Sequence, residues 1–263
     1  MTRLRKIGVL LRDAPAEYPL AEVAALFGQH GVEMALLSWQ EPPPSGLDAI
    51  MAMGGDGTVL KALDLYPSCP VLAINYGTVG FLTAGDRTDL QRILSLLVEG
   101  KYLVSERLVL NCAYPGGKAR AVNEIIVRTA NRLIYIDVVV NDTNIRTIRG
   151  DGVVVGTPTG STGFLLSAGS PIVMPDVRCI VLDGINEYNF TSRSLVLTPE
   201  SEIRLRISPE TREEHVFLTV DGQQLGELRP EDEISVAQSS ATAKLIYFEP
   251  NYFFRNLSSR LSW

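Results

Sequence analysis

The chain has 263 residues, of which 46% are hydrophobic and 21% are charged, and its formal net charge is −6. This composition is typical of a globular protein with one large or two modest domains, and it lacks the basic stripe of a duplex-binding protein. Three widely spaced cysteines and two histidines argue against a disulfide framework and a zinc site. No stretch reaches the roughly 18 apolar residues of a membrane span. We therefore expect a cytoplasmic protein that binds neither nucleic acid nor membrane.

The first 100 residues alternate strand and helix patterns. The predicted strands cover residues 7–11, 32–38, 48–53 and 70–74, the predicted helices cover 20–27 and 60–65, and a proline loop covers 42–44. A further helix should open at Thr88, with Gln91 completing a capping box, and close at Gly100. Strands alternating with helices predict a parallel, doubly wound α/β domain over residues 1–103.

After residue 103 the pattern is mostly that of strands. They are predicted at 108–113, 121–128, 133–140, 153–155, 203–207, 215–220, 233–236 and 244–248. One helix is expected to interrupt them near Thr162. These patterns indicate a β-rich domain over residues 104–250. The aromatic and apolar tail, residues 251–263, is expected to dock as a helix.

A glycine-rich run follows the third predicted strand and reads Gly54-Gly55-Asp56-Gly57-Thr58. Glycines remove the Cβ atoms that would block a phosphate, permit unusual backbone angles, and precede a helix whose N-terminus favours anions. Asp56 would repel phosphate, so it is interpreted as a base for an attacking hydroxyl or as a magnesium anchor. The alternative is a turn in which Asp56 caps the next helix. Neither a Walker A sequence nor G-x-G-x-x-G is present.

Three more patterns lie in the second half. The segment 150–164 contains Thr157-Pro158-Thr159-Gly160-Ser161-Thr162-Gly163-Phe164. Its hydroxyls and bare N–H groups suit ribose oxygens or phosphates, whereas a helix cap explains only one or two of them. Asn123 and Glu124 interrupt an apolar strand, where a carboxylate could accept from two ribose hydroxyls, unless the strand simply enters from solvent. Val220-Asp221-Gly222-Gln223 by itself predicts a hairpin turn.

In this order and spacing the four patterns resemble the NAD kinase family, whose signature includes a GGDG loop, an Asn-Glu/Asp pair, a G-D-G…T-P-T-G-S-T segment and a D-G-Q turn. The stretch 70–83, with its Gly80-Phe81-Leu82-Thr83, is similar to another family segment. Tail residues Phe254-Arg255 and Leu261-Ser262-Trp263 are similar to the family's C-terminal helix. A lipid or sugar kinase sharing the GGDG loop is the nearest alternative. An NAD(P)-binding sensor without turnover is the alternative from another class.

The resemblance implies phosphoryl transfer from ATP, or another polyphosphate donor, to the 2′-hydroxyl of the adenosine ribose of NAD, giving NADP. It implies Asp56 as the base, a divalent cation (Mg²⁺) arriving with ATP, and a homodimer or homotetramer. It also implies a C-terminal helix that returns to the first domain and an NAD site between the domains. The implied NAD-binding residues are Asp56, Gly57, Lys61, Phe81, Asn123, Glu124, Arg149, Asp151, Thr159, Thr162, Gly163, Phe164, Ser167 and Gln223. The implied phosphate loop is Gly54, Gly55, Gly57 and Thr58.

The chain departs from the family pattern in three places. The family more often has Ala-Tyr where this chain has Gly163-Phe164, and it usually has Gly-Gly in place of Gly169-Ser170. Its T-P-I-x-P-H segment corresponds here to residues 183–188, which end in Glu187-Tyr188. Contacts to the base are therefore expected to differ, and residues 183–188 are left out of the predicted site.

Overall fold

The computed structural model describes residues 4–41, 44–77, 80–189, 192–213 and 215–261. The chain divides into two compact units, Met1–Glu106 with Ala243–Trp263, and Arg107–Thr242. Pro42 and Pro43 of the predicted loop, positions 78 and 79 of the 70–83 stretch, and the last two tail residues lie outside the described residues. Within the described ranges, no helix is long and apolar enough to cross a membrane.

Nineteen strands and five α-helices are present in the described part of the chain. The strands are β1 (Lys6–Leu11), β2 (Glu33–Leu36), β3 (Ala49–Gly54), β4 (Val71–Asn75), β5 (Gly85–Asp86), β6 (Leu103–Arg107), β7 (Leu110–Tyr114), β8 (Gly117–Ala121), β9 (Glu124–Thr129), β10 (Ile134–Val140), β11 (Thr143–Gly150), β12 (Gly152–Gly156), β13 (Ile180–Ile185), β14 (Leu195–Leu197), β15 (Ile203–Ile207), β16 (Val216–Val220), β17 (Gln223–Leu228), β18 (Glu233–Gln238) and β19 (Ala243–Tyr247). The helices are α1 (Leu20–Gln29), α2 (Asp56–Leu65), α3 (Leu90–Val98), α4 (Phe164–Ser167) and α5 (Tyr252–Leu261).

The first unit is built on one sheet with the strand order β2-β1-β3-β4-β19-β6, and β5 pairs with β4. β1 pairs in parallel with β2 and β3, and β4 pairs in parallel with β3 and β19. The apolar runs of β3 and β4 are buried along their whole length, as expected when helices cover both faces of a parallel sheet.

The direction of the crossovers shows that this sheet is doubly wound. The connection from β1 through α1 to β2 runs to one side, and that from β3 through α2 to β4 runs to the other. Because such crossovers are right-handed, α1 and α2 lie on opposite faces. The predicted doubly wound α/β fold is confirmed. The direction in which successive strands are added to the sheet reverses between the parallel strands β1 and β3. Ligands of open α/β sheets bind beyond the carboxyl ends of the strands at such a switch point.

The second unit is a β-sandwich, which confirms the predicted β-rich fold. Its described residues form two six-stranded sheets, with the orders β11-β10-β15-β18-β7-β8 and β14-β13-β12-β9-β16-β17. Alternate residues of both sheets, such as Ile136 and Val153, form one continuous core. Val154 points to the opposite face of β12, where it packs in a second cluster with Leu165 of α4. β12 is therefore buried on both faces.

The domain assignment of one strand requires correction. Residues 244–248 were predicted as part of the β-rich domain, but β19 pairs in parallel with β4 of the first unit, with Leu245 opposite Val71. A short apolar run predicts a buried strand without indicating its sheet. The last helix, α5, packs on this first unit as predicted, since Asn256 Nδ2 donates to the backbone oxygens of Phe81 and Thr83.

Other element predictions were wrong in detail. Thr88 does not cap α3, because its N–H and hydroxyl both donate to Asp86, which opens a short 3-10 turn before Leu90. The single strand predicted over 121–128 is interrupted at Val122 and Asn123, between β8 and β9. The sequence patterns did not predict β5, β6, β11, β13, β14, β17 or most of β8.

Candidate functional site

The glycine loop joins β3 to α2, with Gly55 as the residue that precedes the helix. Its backbone is extended, with φ −100° and ψ −172°, and none of the loop glycines has a positive φ. The prediction of unusual backbone angles was therefore wrong. The glycines instead provide space: a Cβ on Gly54 would overlap the Thr58 hydroxyl, whereas Gly57 faces open space. The unobstructed start of a ten-residue helix is suited to an anion.

Asp56 is the first residue of α2, but its carboxylate does not cap the helix. One oxygen accepts from the Phe81 N–H at 2.8 Å and the other from the Leu82 N–H at 3.0 Å. Burial raises the pKa of Asp56 above its ordinary value, while these two hydrogen bonds and the charge of Arg260 oppose that rise. Because each carboxylate oxygen keeps a lone pair, Asp56 remains able to accept a proton.

A cavity of about 440 Å³ lies in the first unit at the carboxyl ends of β1 and β3. Its lining residues are Arg12, Trp39, Gly55, Asp56, Gly57, Thr58 and Gly80. The Arg12 N–H donates to the Met53 oxygen at 3.1 Å, which places the residue directly beyond β1. The Trp39 indole donates to the Leu11 oxygen at 2.7 Å. The cavity thus combines the glycine loop, a carboxylate and a cation.

Arg12 and Trp39 line the cavity but were not predicted from the sequence. Arg12 could have been found, because it is the first residue after β1 and the sheet's switch point lies between β1 and β3. Trp39 follows β2 by three residues, and no local pattern indicates its position at the cavity.

In the second unit, the Asn123-Glu124 pair is held by Asp221. The Asp221 carboxylate accepts from the N–H groups of Val122, Asn123 and Glu124, at 2.7, 2.8 and 3.0 Å respectively. Asp221 and Gly222 have φ values of 46° and 79° and connect β16 to β17. The positive φ at both positions is that of a type I′ hairpin turn. The predicted turn is therefore present, and it also fixes the polar pair.

The Thr157–Thr162 loop is attached to the same pair. The Thr157 N–H donates to the Asn123 oxygen at 2.9 Å, and its hydroxyl donates to the Val122 oxygen at 2.5 Å. A Cβ on Gly160 would overlap the Asn123 carbonyl, so glycine is required for this close approach. Gly156 lies opposite Glu124 in the sheet. The polar pair and the Thr157–Thr162 loop, which begins 33 positions after Glu124, thus meet at one end of β12.

Two polar atoms of this cluster lack partners. Asn123 Oδ1 and Glu124 Oε2 are buried and have no hydrogen-bond partner among the described residues. Glu124 is 6% exposed, so the alternative of a strand entering from solvent does not hold. Burial, with a smaller contribution from the charge of Asp221, raises the pKa of Glu124 to about 7, against a hydrogen bond from the Phe164 N–H. Buried acceptors without donors indicate a site for a ligand with hydroxyl or amino groups.

Two family models match the chain, the ATP-NAD kinase N-terminal domain over residues 37–102 and the ATP-NAD kinase C-terminal domain over residues 122–248. The NAD kinase of Geobacter metallireducens is 33% identical over 254 residues, which cover 93% of this chain and 88% of that protein. The chain belongs to the NAD kinase family. The NAD kinase of Clostridium perfringens is 32% identical over 223 residues, covering 82% of this chain and 80% of that protein. The structure of an NAD kinase from Archaeoglobus fulgidus in complex with ATP has a TM-score of 0.82 at 28% identity, with 98% of both chains covered.

Membership of the NAD kinase family excludes the lipid or sugar kinase alternative. The other residues that the family resemblance implied as NAD-binding lie in several parts of the structure. Lys61 lies on α2, but its ammonium contacts Asp64 of the same helix at 3.2 Å. Phe81 takes part through its backbone, which holds Asp56. Ser167 and Gln223 are exposed, at the end of α4 and at the start of β17 respectively.

The Thr157–Thr162 loop and Gly163, which follows it, lie next to the polar pair. The Thr159 hydroxyl accepts from buried Arg107 at 3.2 Å, and the Thr162 hydroxyl donates to the Thr159 oxygen at 3.3 Å. A Cβ on Gly163 would lie 2.9 Å from Glu124 Oε2. The alanine that the family more often has here would crowd that carboxylate, which gives a physical reason for glycine in this chain.

Arg149 and Asp151 do not lie beside the polar pair. They flank the start of β12, whereas Glu124 pairs with Gly156 at its end. At about 3.3 Å per residue, the five steps from Asp151 to Gly156 span about 17 Å. Asp151 accepts from Asn186 at 2.7 Å, and the Arg149 guanidinium lies over the Tyr188 ring.

Two other residues that depart from the family pattern are hydrogen-bonded to each other. Ser170 and Asp183 each replace a different family residue, and the Ser170 hydroxyl donates to the Asp183 carboxylate at 2.7 Å. The Ser194 hydroxyl donates to the same oxygen at 2.6 Å. The buried Asp183 carboxylate is therefore fully hydrogen-bonded within the chain.

Proposed function

We propose that this chain transfers a phosphoryl group from ATP, or another polyphosphate donor, to the 2′-hydroxyl of the adenosine ribose of NAD, with Asp56 as the general base. The observation that carries this proposal is the position of Asp56, buried and held by two N–H groups beside the glycine loop in the wall of the cavity. A fixed carboxylate with a raised pKa is a suitable acceptor for the proton of an attacking hydroxyl. Positioning and charge neutralisation supply most of the remaining catalysis in phosphoryl transfer.

The dinucleotide is proposed to contact Asn123 and Glu124. Their unpaired oxygens would accept from adenosine amino and ribose hydroxyl groups, which would otherwise lose hydrogen bonds on leaving water. The remaining family-matched residues complete the proposed site: Gly57, Lys61, Phe81, Arg149, Asp151, Thr159, Thr162, Gly163, Phe164, Ser167 and Gln223.

The phosphate donor is proposed to occupy the cavity beside Gly54, Gly55, Gly57 and Thr58. The first N–H groups of α2 would contact phosphate oxygens, and Arg12 would offset part of their charge. No group of three or more His, Cys, Asp or Glu that could hold a metal is found among the described residues. Mg²⁺ is commonly bound by one or two carboxylates, waters and substrate phosphates. Asp56 supplies a carboxylate in the cavity wall, which fits a cation that arrives with ATP and neutralises its charge.

The decisive experiment is a coupled NADP assay with ATP and polyphosphate, each with NAD and NADH. It compares the wild-type protein with Asp56→Asn and with the control Asp64→Asn, an exposed position on the same helix. Asp56→Asn should lower kcat by about 10² to 10⁴-fold, the usual contribution of a general base, with a much smaller change in NAD affinity. Asp64→Asn should retain kinase activity. Excess chelator should abolish NADP formation by every protein in the assay. An Asp56→Asn protein with wild-type kcat would reject the base, and NAD binding without any turnover in the wild type would favour the sensor.

Assembly and location complete the proposal. We expect a homodimer or homotetramer, as the family resemblance implies, and sedimentation velocity would measure it. We also expect the chain to act in the cytoplasm.

A further inference from the structure

The segment that holds Asp56 is itself held by the C-terminal part of the first unit. Asn256 of α5 is 5% exposed, and its Nδ2 donates to the Phe81 oxygen and to the Thr83 oxygen, both at 3.0 Å. The Tyr247 hydroxyl donates to the Leu82 oxygen at 3.1 Å. The carbonyl groups of three successive residues are therefore fixed by side chains that lie more than 160 positions later in the sequence.

One of these carbonyl groups is rigidly coupled to an N–H group that contacts Asp56. The Phe81 oxygen and the Leu82 N–H belong to the same planar peptide group. A donor that fixes the Phe81 oxygen thus also fixes the direction of the Leu82 N–H, which reaches Asp56 Oδ1 at 3.0 Å. One peptide plane transmits the position of Asn256 to the carboxylate.

The same helix face carries a positive charge. Arg260 follows Asn256 by four residues, a spacing that places both side chains on one side of a helix. One Arg260 nitrogen lies 3.4 Å from the Thr83 hydroxyl. Residues of α5 therefore contact the 81–83 segment at more than one point.

We propose that Asn256 is a positioning residue for Asp56: its side-chain amide fixes the peptide plane that directs the Leu82 N–H at the carboxylate. This inference rests on the proposed role of Asp56 as the base. Asn256 is not one of the described residues that line the cavity, and its side chain donates to residues 81 and 83, so its effect on Asp56 passes through that segment.

Asn256→Ala removes both donors and should change catalysis more than binding. We expect kcat to fall about tenfold, the effect of one to two weakened hydrogen bonds, while KM for NAD changes much less. The hydrogen bonds from residues 81 and 82 lower the pKa of Asp56 against burial. Weakening them should move the acid limb of kcat/KM to higher pH.

The experiment measures kcat, KM and the pH profile of the wild-type protein, Asn256→Ala, Asp56→Asn and the double variant. Arg255→Ala is the matched control, because Arg255 is the neighbouring residue of α5 and pairs with Glu249 on the surface. The control should keep the wild-type acid limb. If Asn256 acts through Asp56, Asn256→Ala should lower kcat in the wild type but leave the residual rate of Asp56→Asn unchanged.

The outcomes separate this inference from the proposed function. A wild-type kcat in Asp56→Asn would reject the base itself. If Asp56→Asn is impaired, two results would each overturn the positioning role alone. One is an unshifted acid limb in Asn256→Ala, and the other is an equal loss of rate on adding Asn256→Ala to the wild-type protein and to Asp56→Asn. If Asn256→Ala fails to fold, Asn256→Leu takes its place, because leucine has nearly the same size and shape but lacks the amide that donates to the Phe81 oxygen. It should shift the acid limb in the same direction, and an unshifted limb would again overturn the inference.

Discussion

The buried carboxyl group of Glu124 should make the stability of the ligand-free protein depend on pH. Its pKa is raised from 4.5 to about 7, chiefly by burial. Because the folded-state pKa lies above the unfolded one, this stabilising contribution is fully present below pH 4.5 and is lost as the pH rises through about 7. The difference between the two pKa values corresponds to roughly 3 kcal/mol of unfolding free energy at alkaline pH. Little screening by solvent is expected, since Glu124 is almost completely buried.

The perturbation is Glu124→Gln, which keeps the size of the side chain and removes its charge. Urea unfolding of the ligand-free proteins would be measured at pH 5 and at pH 8.5. Between pH 5 and pH 8.5, the unfolding free energy of the wild-type protein should fall by about 2 to 3 kcal/mol more than that of Glu124→Gln. Contributions from other titrating groups are common to both proteins and cancel in this comparison. Glu233→Gln, an exposed position on β18, is the control and should show no such pH dependence. If the difference in unfolding free energy between the wild-type protein and Glu124→Gln is the same at both pH values, the argument is refuted.

Two further substitutions test each half of the proposed site. In Gly80→Ala the new Cβ would overlap Asp56 Oδ1, so kcat should fall by about 10²-fold, as is usual for a misplaced catalytic group, with an unchanged circular dichroism spectrum. Wild-type kcat in Gly80→Ala would show that the carboxylate position is unimportant. In Asp221→Asn the side-chain amide cannot accept from all three N–H groups that the carboxylate holds. The binding free energy for NAD should weaken by about 1.5 to 3 kcal/mol, which calorimetry would report as at least about tenfold weaker binding. An unchanged dissociation constant would separate the Asn123-Glu124 pair from the dinucleotide.

Local sequence patterns determined much of this protein. Alternating apolar runs and helical spacing predicted β1, β3, β4 and α1, because a buried parallel strand needs apolar residues on both faces. The glycine loop was recognisable because a close approach of other groups to the backbone restricts the residue type at a position. The order of the four motifs predicted the NAD kinase family, which the comparisons confirmed.

The tertiary structure alone decided which distant segments meet. A five-residue apolar run could not show that β19 joins the parallel sheet, because a buried strand has the same pattern in either unit. Asp221 appeared to be only a turn residue, yet its carboxylate holds an N–H 99 positions earlier. Asn256 lies 175 positions from Phe81, and a single polar residue in a helix does not indicate its partner. Hydrogen bonds of this kind depend on how packing brings backbone groups together, and no periodicity in the sequence records that arrangement.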